Sequence, residues 1–341
     1  MKALFKTAPR PGALELREVA RPEPGRDEVV IDVAGASICG SDLHIAAWHP
    51  MAQYTKPPVI MGHEFAGTVS EVGSEVAGLR AGDAVAVESV ISCGRCPRCH
   101  AGKTHVCDER RLFGLHVPGG LAQAVAVPAR LTHRIPSGLP IELGALAEPT
   151  TVALHAVQLQ PPAPGDTVLV TGPGPIGLLA GRIARAFGAR VLIAGTPADG
   201  ATRLPAARAL GLEPLDPAVP LREVLADPVD LVLECSGSAA AIDAALQVVK
   251  RGGGVTLVGM PSGEVKLDLA QALRAEIRLQ PTYCGTWQDF ERALALLADG
   301  TVPAEALVAQ YPLEKAIEAF DDAGAQRVLK PLVRPRPPAV Y

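Results

Sequence analysis

Thr167-Val-Leu-Val-Thr171-Gly172-Pro-Gly174-Pro175-Ile176-Gly177 is the stretch on which the reading of this chain turns. An apolar, β-branched run feeds directly into a glycine-x-glycine-x-x-glycine turn, and a helical apolar pattern then continues to Phe187. That order predicts strand, tight turn and helix. The first glycine permits the turn, the second lets the backbone approach a pyrophosphate, and the third lets helix and strand pack closely. Free amides at the positive end of the helix then face the phosphates. An ordinary Gly/Pro turn would need no ligand, but the strand before it and the helix after it favour a dinucleotide.

Further apolar runs follow at Val191–Ala194, Leu231–Glu234 and Val255–Val258, spaced by helical patterns. Strands alternating with helices predict an α/β, doubly wound parallel sheet. In an NAD site an acidic residue ends the second strand and binds the adenosine ribose. Here Gly195 and Thr196 stand there, with Asp199 just beyond. Gly195 leaves room for a 2′-phosphate, Thr196 can donate to it and Arg203 can supply charge, so the reading inclines to NADP, with NAD as the alternative. The plainer reading of Arg203 is a residue that caps the next helix.

On the N-terminal side, Glu28–Val33, Gly67–Val72 and Ala84–Glu88 are short runs set between Gly, Pro and Asp turn signals. They predict a strand-rich, irregular domain. After Tyr283 come the helical patterns Trp287–Leu297 and Leu313–Ala323, then an apolar run Val328–Val333 expected to pack on the first domain. The expected divisions are therefore 1–147, 148–285 and 286–341, which suits a chain of 341 residues.

Composition narrows the function. The uncharged stretch Thr167–Gly181 is broken by Gly and Pro and is too short for a bilayer span of about 20 residues. No segment after Met1 has secretory-signal order, so a cytoplasmic protein is expected. With 32 basic and 36 acidic side chains and no long block of either, neither nucleic acid nor membrane is an expected partner.

Of the 7 cysteines, Cys93, Cys96, Cys99 and Cys107 fall within one short segment. In a cytosolic protein thiolate metal ligands are favoured there over disulfides. Four soft ligands with no open position suit a closed, structural zinc, and the spacing does not match ferredoxin runs. His100 and His105 lie close enough in sequence to raise a mixed site. A second, dispersed group is Cys39, His63 and Glu64, whose mixed donors leave a position open, as catalytic zinc requires. Taken singly, these residues read equally well as a buried thiol, a satisfied histidine and a solvated charge.

Gly62-His-Glu-Phe-Ala-Gly67, followed by Val69, Val72-Gly73, Val76 and Gly82-Asp83, resembles the zinc signature of the medium-chain dehydrogenase/reductases. The resemblance covers essentially the whole chain, including the cysteine lobe, the glycine loop and the Cys235-Ser236-Gly237 turn. It implies a GroES-like catalytic domain, a Rossmann domain, and an active site in the cleft between them. It further implies Cys39, His63 and Glu64 as catalytic-zinc ligands, Glu148 near the metal, and Cys93, Cys96, Cys99 and Cys107 around a second zinc. Ser41 and His44 match a proton relay, Gly172, Gly174, Pro175, Ile176, Gly177 and Ser236 a cofactor site, and a homotetramer or homodimer is expected.

Asp42-Leu-His44-Ile and Trp48 resemble the polyol and L-threonine dehydrogenase branch, whereas Pro149-Thr-Thr-Val152 departs from the threonine enzymes. The polar residues Ser41, His44, His49, Glu64, Glu148 and His155, with Trp48 and Met51 as an apolar wall, point to a small polar secondary alcohol such as a polyol or diol. L-threonine and a general secondary alcohol are the alternatives. A zinc-independent reductase would not need Cys39, His63 and Glu64, and a non-catalytic cofactor-binding protein would not need Ser41 and His44.

Overall fold

The computed structural model describes residues 1–336, the side chain of Met51 excepted. Two units form. One comprises residues 1–148, 286–300 and those from Ala304 onward; the other comprises 149–285 with 301–303.

In the first unit the long strand Glu28–Ser37 is the spine. It pairs antiparallel with Glu64–Val72, with Ala124–Pro128 and, at its far end, with Lys330–Arg334. The register sets Ser37 opposite both Glu64 and Leu332, so residues remote in sequence converge at this end of the strand. Irregularities near Val30 and Val33 bend the ladder. Gly67 lies opposite this bend, where a Cβ would come within 2.1 Å of the Asp32 carbonyl. Val29, Ile31, Val33, Val85 and Leu121 fill the core below, and Phe65 meets Phe113 edge to face at 5.5 Å.

The spine ends at Ser37 and turns at Cys39 into the short helix Gly40–Ala46. Asp42 closes that turn by accepting the Cys39 amide at 3.0 Å, a local cap that satisfies one of the amides a helix start leaves free.

The second unit is a six-stranded parallel sheet in the spatial order Glu213–Pro214, Arg190–Ala194, Thr167–Thr171, Val229–Glu234, Val249–Leu257, Arg278–Pro281. The strand order reverses beside Thr167–Thr171, so the loop after Thr171 lies where open α/β sheets bind ligands. Helix Pro175–Ala186 begins with proline, whose fixed φ suits the first turn. It packs so closely that a Cβ on Gly177 would lie 2.0 Å from the Gly172 carbonyl.

The apolar runs mark the strands but not their limits. The run Val255–Val258 is the end of the strand Val249–Leu257, because Gly252–Gly254 carry no side-chain pattern yet keep their main-chain path in the sheet. The pattern Leu313–Ala323 opens as a 3-10 turn after Pro312 and becomes helix at Ala316–Gly324. Among the described residues no helix is long and apolar enough to cross a membrane.

Candidate active site

Cys39 at the head of the short helix and His63-Glu64 at the start of the neighbouring strand converge, and one donor atom from each lies within 4.8 Å of the others. His63 is held by close backbone crossings: Gly62 takes φ +91, and a Cβ on Gly119 would sit 2.0 Å from the Gly62 carbonyl. The ring has two distinct sides. Nδ1 faces the Asp42 carboxylate at 3.5 Å, while Nε2 lies 3.4 Å from Ser41 Oγ. Asp42 is fully buried, so its carboxylate can bias the Nδ1 side of the ring and leave Nε2 on the side of Ser41. Burial pulls the imidazole down, but Asp42 and then Cys39 outweigh it and hold the ring well above its ordinary value. A metal there would displace a proton.

Glu64 is fully buried and accepts from Lys330 Nζ at 2.7 and 2.6 Å, and from the Ser37 hydroxyl. Burial pulls Lys330 down, yet Glu64, Cys39 and Glu148 hold it above the usual ammonium value. Glu148 accepts from Ser89 Oγ at 2.7 Å. Burial, reinforced by Glu64, raises its carboxyl although His63, Ser89 and Lys330 oppose the shift. The sequence alone assigns no site role to Lys330, Ser37, Ser89 or Asp42, although Asp42 opens the Asp42-Leu-His44-Ile motif. The available signal for Lys330 was a lone charge inside the apolar run Val328–Val333.

One thiol, one imidazole and one carboxylate suit zinc. Asp42 and Glu148 add buried carboxyl groups beside that cluster, with Lys330 and His63 as the basic groups among them, a donor-rich setting in which a divalent cation could replace the proton on His63. Ser41 and His44 leave the same short helix three residues apart, so they share a face. The His49 ring lies 5.1 Å from His44. Burial, then repulsion from His49, lowers the His44 imidazole.

The Cys93, Cys96, Cys99 and Cys107 sulphurs also converge within 4.8 Å, with neither His100 nor His105 in the group. Cys96 and Cys99 Sγ are 3.5 Å apart, well beyond a disulfide bond length of about 2.05 Å. Main-chain N–H groups of Cys93 and Glu109 donate to Cys107 Sγ at 3.3 and 3.4 Å. Backbone hydrogen bonds at Asp108 and Cys99 lower Cys96 to about 6, whereas burial and the neighbouring sulphur of Cys96 push Cys99 up to about 11. Such a set offers four donors and no open position.

In the second unit Gly174 caps helix Pro175–Ala186 with no side-chain hydrogen bond, and a Cβ there would meet no atom within 4 Å. The open space and free first-turn amides fit a pyrophosphate. Gly172 takes φ +90, and a Cβ on it would strike Ser236 at 2.8 Å. The turn containing Ser236 is pinned by the buried Glu234 carboxylate, which accepts from the Ser236 amide at 2.8 Å and the Thr171 hydroxyl at 3.3 Å.

A side chain at Gly195 would approach Pro173 to 2.8 Å, so packing is one physical reason that no carboxylate stands there. Asp199 is turned inward: Oδ2 accepts the Thr196 amide and hydroxyl, each at 2.8 Å, and Oδ1 accepts from Arg203 at 3.1 Å. Arg203 thus starts the next helix paired with Asp199 one turn back. Glu148 and His155 share helix Ala147–Leu159 but belong to different units.

A thiol–imidazole–carboxylate cluster, a four-sulphur lobe and a glycine-rich nucleotide loop together define a zinc-binding dehydrogenase. Residues 25–137 match the Alcohol dehydrogenase GroES-like domain family, and residues 175–299 match the Zinc-binding dehydrogenase family. The chain belongs to the zinc-containing medium-chain dehydrogenase/reductases and is a zinc-dependent, NAD(P)-dependent alcohol dehydrogenase. It is 42% identical over 277 residues to an L-threonine 3-dehydrogenase of Pyrococcus abyssi, covering 79% of this chain and 78% of the relative. A zinc-binding dehydrogenase from Sinorhizobium meliloti, solved with NADP, superposes with a TM-score of 0.91 at 32% identity, over 98% and 99% of the two chains. An alcohol dehydrogenase from E. coli, solved with NADH, gives 0.90 at 27% identity over 98% and 99%.

Proposed function

We propose that the enzyme oxidises a small secondary alcohol bearing a neighbouring polar group, a diol or polyol, with Cys39, His63 and Glu64 as ligands of a catalytic zinc and Glu148 beside it. The observation that carries the assignment is the Asp42-oriented His63 imidazole, gathered with Cys39 and Glu64. When bound, zinc supplies the positive charge that eases deprotonation of an alcohol, and the nicotinamide supplies the hydride acceptor. Ser41 Oγ takes up the substrate's hydroxyl proton as it releases its own, and the neutral His44 imidazole on the same helix is the final acceptor of that released proton. Lys330 and Ser37 donate to Glu64 and hold it in place, while Ser89 orients Glu148. Cys93, Cys96, Cys99 and Cys107 hold a second, structural zinc.

NADP is the favoured cofactor. Glycine at 195 leaves the second strand's end without a carboxylate, and Asp199, the nearest acid, is already committed to Thr196 and Arg203. Seven free cysteines suit a reducing cytoplasm. The edge strand Arg278–Pro281 suits pairing with a second copy in a homodimer or homotetramer.

L-threonine is a second reading, favoured by the likeness to the Pyrococcus abyssi enzyme. Comparing kcat/KM for 2,3-butanediol, sorbitol, L-threonine and 2-propanol, each with NAD and NADP, separates them. Buried polar groups discriminate against substrates that leave them unpaired. A lead of about tenfold for 2-propanol would reject the polar-substrate reading, since hydrogen-bond selection works in the opposite direction.

A further inference from the structure

Lys6 lies at the end of the strand Lys2–Lys6, fully removed from solvent, and its partners are main-chain carbonyls rather than a carboxylate. Its Nζ donates to Arg10 O at 2.7 Å, Gly12 O at 2.7 Å and Ala46 O at 3.0 Å. An ammonium has three donors, so the set is complete. The same nitrogen stands 5.5 Å from the centroid of the Trp48 ring, within the range of a cation–π contact. A buried charge without a counter-charge is costly, and this one joins three things at a single atom. They are the loop at residues 10–12, the last turn of the helix that carries Ser41 and His44, and the indole just beyond it.

Trp48 takes φ +52, a left-handed conformation that a bulky residue keeps only where its surroundings over-determine it. The surroundings here are explicit. Trp48 N donates to Ile45 O at 3.1 Å and His49 N to His44 O at 2.9 Å, while Ala46 O accepts both Lys6 and the Gly12 amide. The half-buried ring also packs against the core of the first unit.

We propose that Lys6 is a positioning residue for substrate selection, clamping the end of the Ser41–His44 helix and holding the strained Trp48 ring as a wall of the alcohol pocket. This inference rests on the alcohol dehydrogenase reading and on Trp48 facing substrate. Lys6 touches no reacting atom and acts through Trp48 and Ala46.

The test compares Lys6→Met, Lys6→Arg, Trp48→Gly and the double variant Lys6→Met/Trp48→Gly. Glycine is chosen at 48 because it accepts positive φ without strain. The expected result for Lys6→Met is an alcohol KM raised by about tenfold, as loss of one well-made contact implies, with cofactor KM and bound zinc unchanged. Lys6→Arg keeps the charge over the ring and recovers part of the loss. In a Trp287→Phe background, which leaves Trp48 as the sole tryptophan, Lys6→Met shifts the indole emission. The double variant shows an alcohol KM no higher than Trp48→Gly alone.

Effects of the two substitutions that multiply, or an unchanged KM and emission with a lowered Tm, would make Lys6 purely structural and overturn the proposal. An unchanged alcohol KM in Trp48→Gly would overturn it as well. Should Lys6→Met not fold, Lys6→Arg alone and combined with Trp48→Gly completes the same cycle. Absence of alcohol turnover by the unmodified enzyme refutes the underlying functional reading, an outcome distinct from a normal KM in the variants.

Discussion

Replacing Lys330 with methionine leaves Glu64 buried with the Ser37 hydroxyl but no ammonium. The contact removed is two-pronged, at 2.7 and 2.6 Å, between side chains 4% and 0% exposed. Breaking a buried pair from one side costs about 3–5 kcal/mol, because the remaining charge stays desolvated. For a unit of this size each kcal/mol is worth roughly 2–4 °C, so the first unit's transition should fall by roughly 6–20 °C. Scanning calorimetry on metal-stripped protein reads it, with the second unit's transition as internal reference. Zinc-loaded protein should lose less, since the cation offers Glu64 a second counter-charge. Adding Glu64→Gln should restore much of the stripped protein's stability by removing the uncompensated charge. A stripped Lys330→Met protein melting within about 2 °C of wild type, less than 1 kcal/mol of change, would refute the reasoning.

Cys39→Ser should abolish turnover while cofactor binding, measured by fluorescence titration, persists, because the glycine loop lies in the other unit; near-normal turnover would remove Cys39 from the proposed zinc shell. Cys99→Ser should lower Tm and bound zinc before it touches cofactor affinity, since structural zinc contributes folding free energy; an inactive variant that melts like wild type would contradict that role. Arg203→Ala should raise KM for NADP more than for NAD, because a guanidinium binds phosphate by charge-assisted bonds. A strong NAD preference untouched by the change would instead make Asp199 the ribose ligand. His49→Gln should move the acid limb of the kcat/KM profile upward. In the proposed relay His44 is a neutral base, so activity would be lost as pH falls through its pKa, and the repulsion that lowers that pKa comes second only to burial; a limb that stays in place would separate His49 from the relay.

The features legible in the sequence are those encoded locally. The glycine loop and the cysteine lobe each occupy one short segment, so spacing alone suggested their shapes, and the alternation after Thr167 gave the parallel sheet. The neighbours of Glu64 were not legible. Lys330 is 266 positions away and reaches it only because the strand Lys330–Arg334 pairs with the far end of Glu28–Ser37. Ser89 on Glu148 is likewise 59 positions distant. Arg203 has two readings in the sequence; in the structure its guanidinium pairs with Asp199 one turn back, so its charge is shared with that carboxylate.

The separation between Glu64 and Lys330 has a consequence for biosynthesis. A ribosome makes Glu64 early, then the whole second unit, and Lys330 only afterwards. The second unit, almost contiguous in sequence, can collapse as it emerges. The first must meanwhile hold a buried-to-be carboxylate without its ammonium and the end of the Glu28–Ser37 strand without its last partner. Unpaired strand edges in incomplete chains invite aggregation. A message truncated just before codon 330 would encode every proposed zinc and cofactor residue and still yield a first unit unable to close, leaving a nascent product for chaperones and proteases.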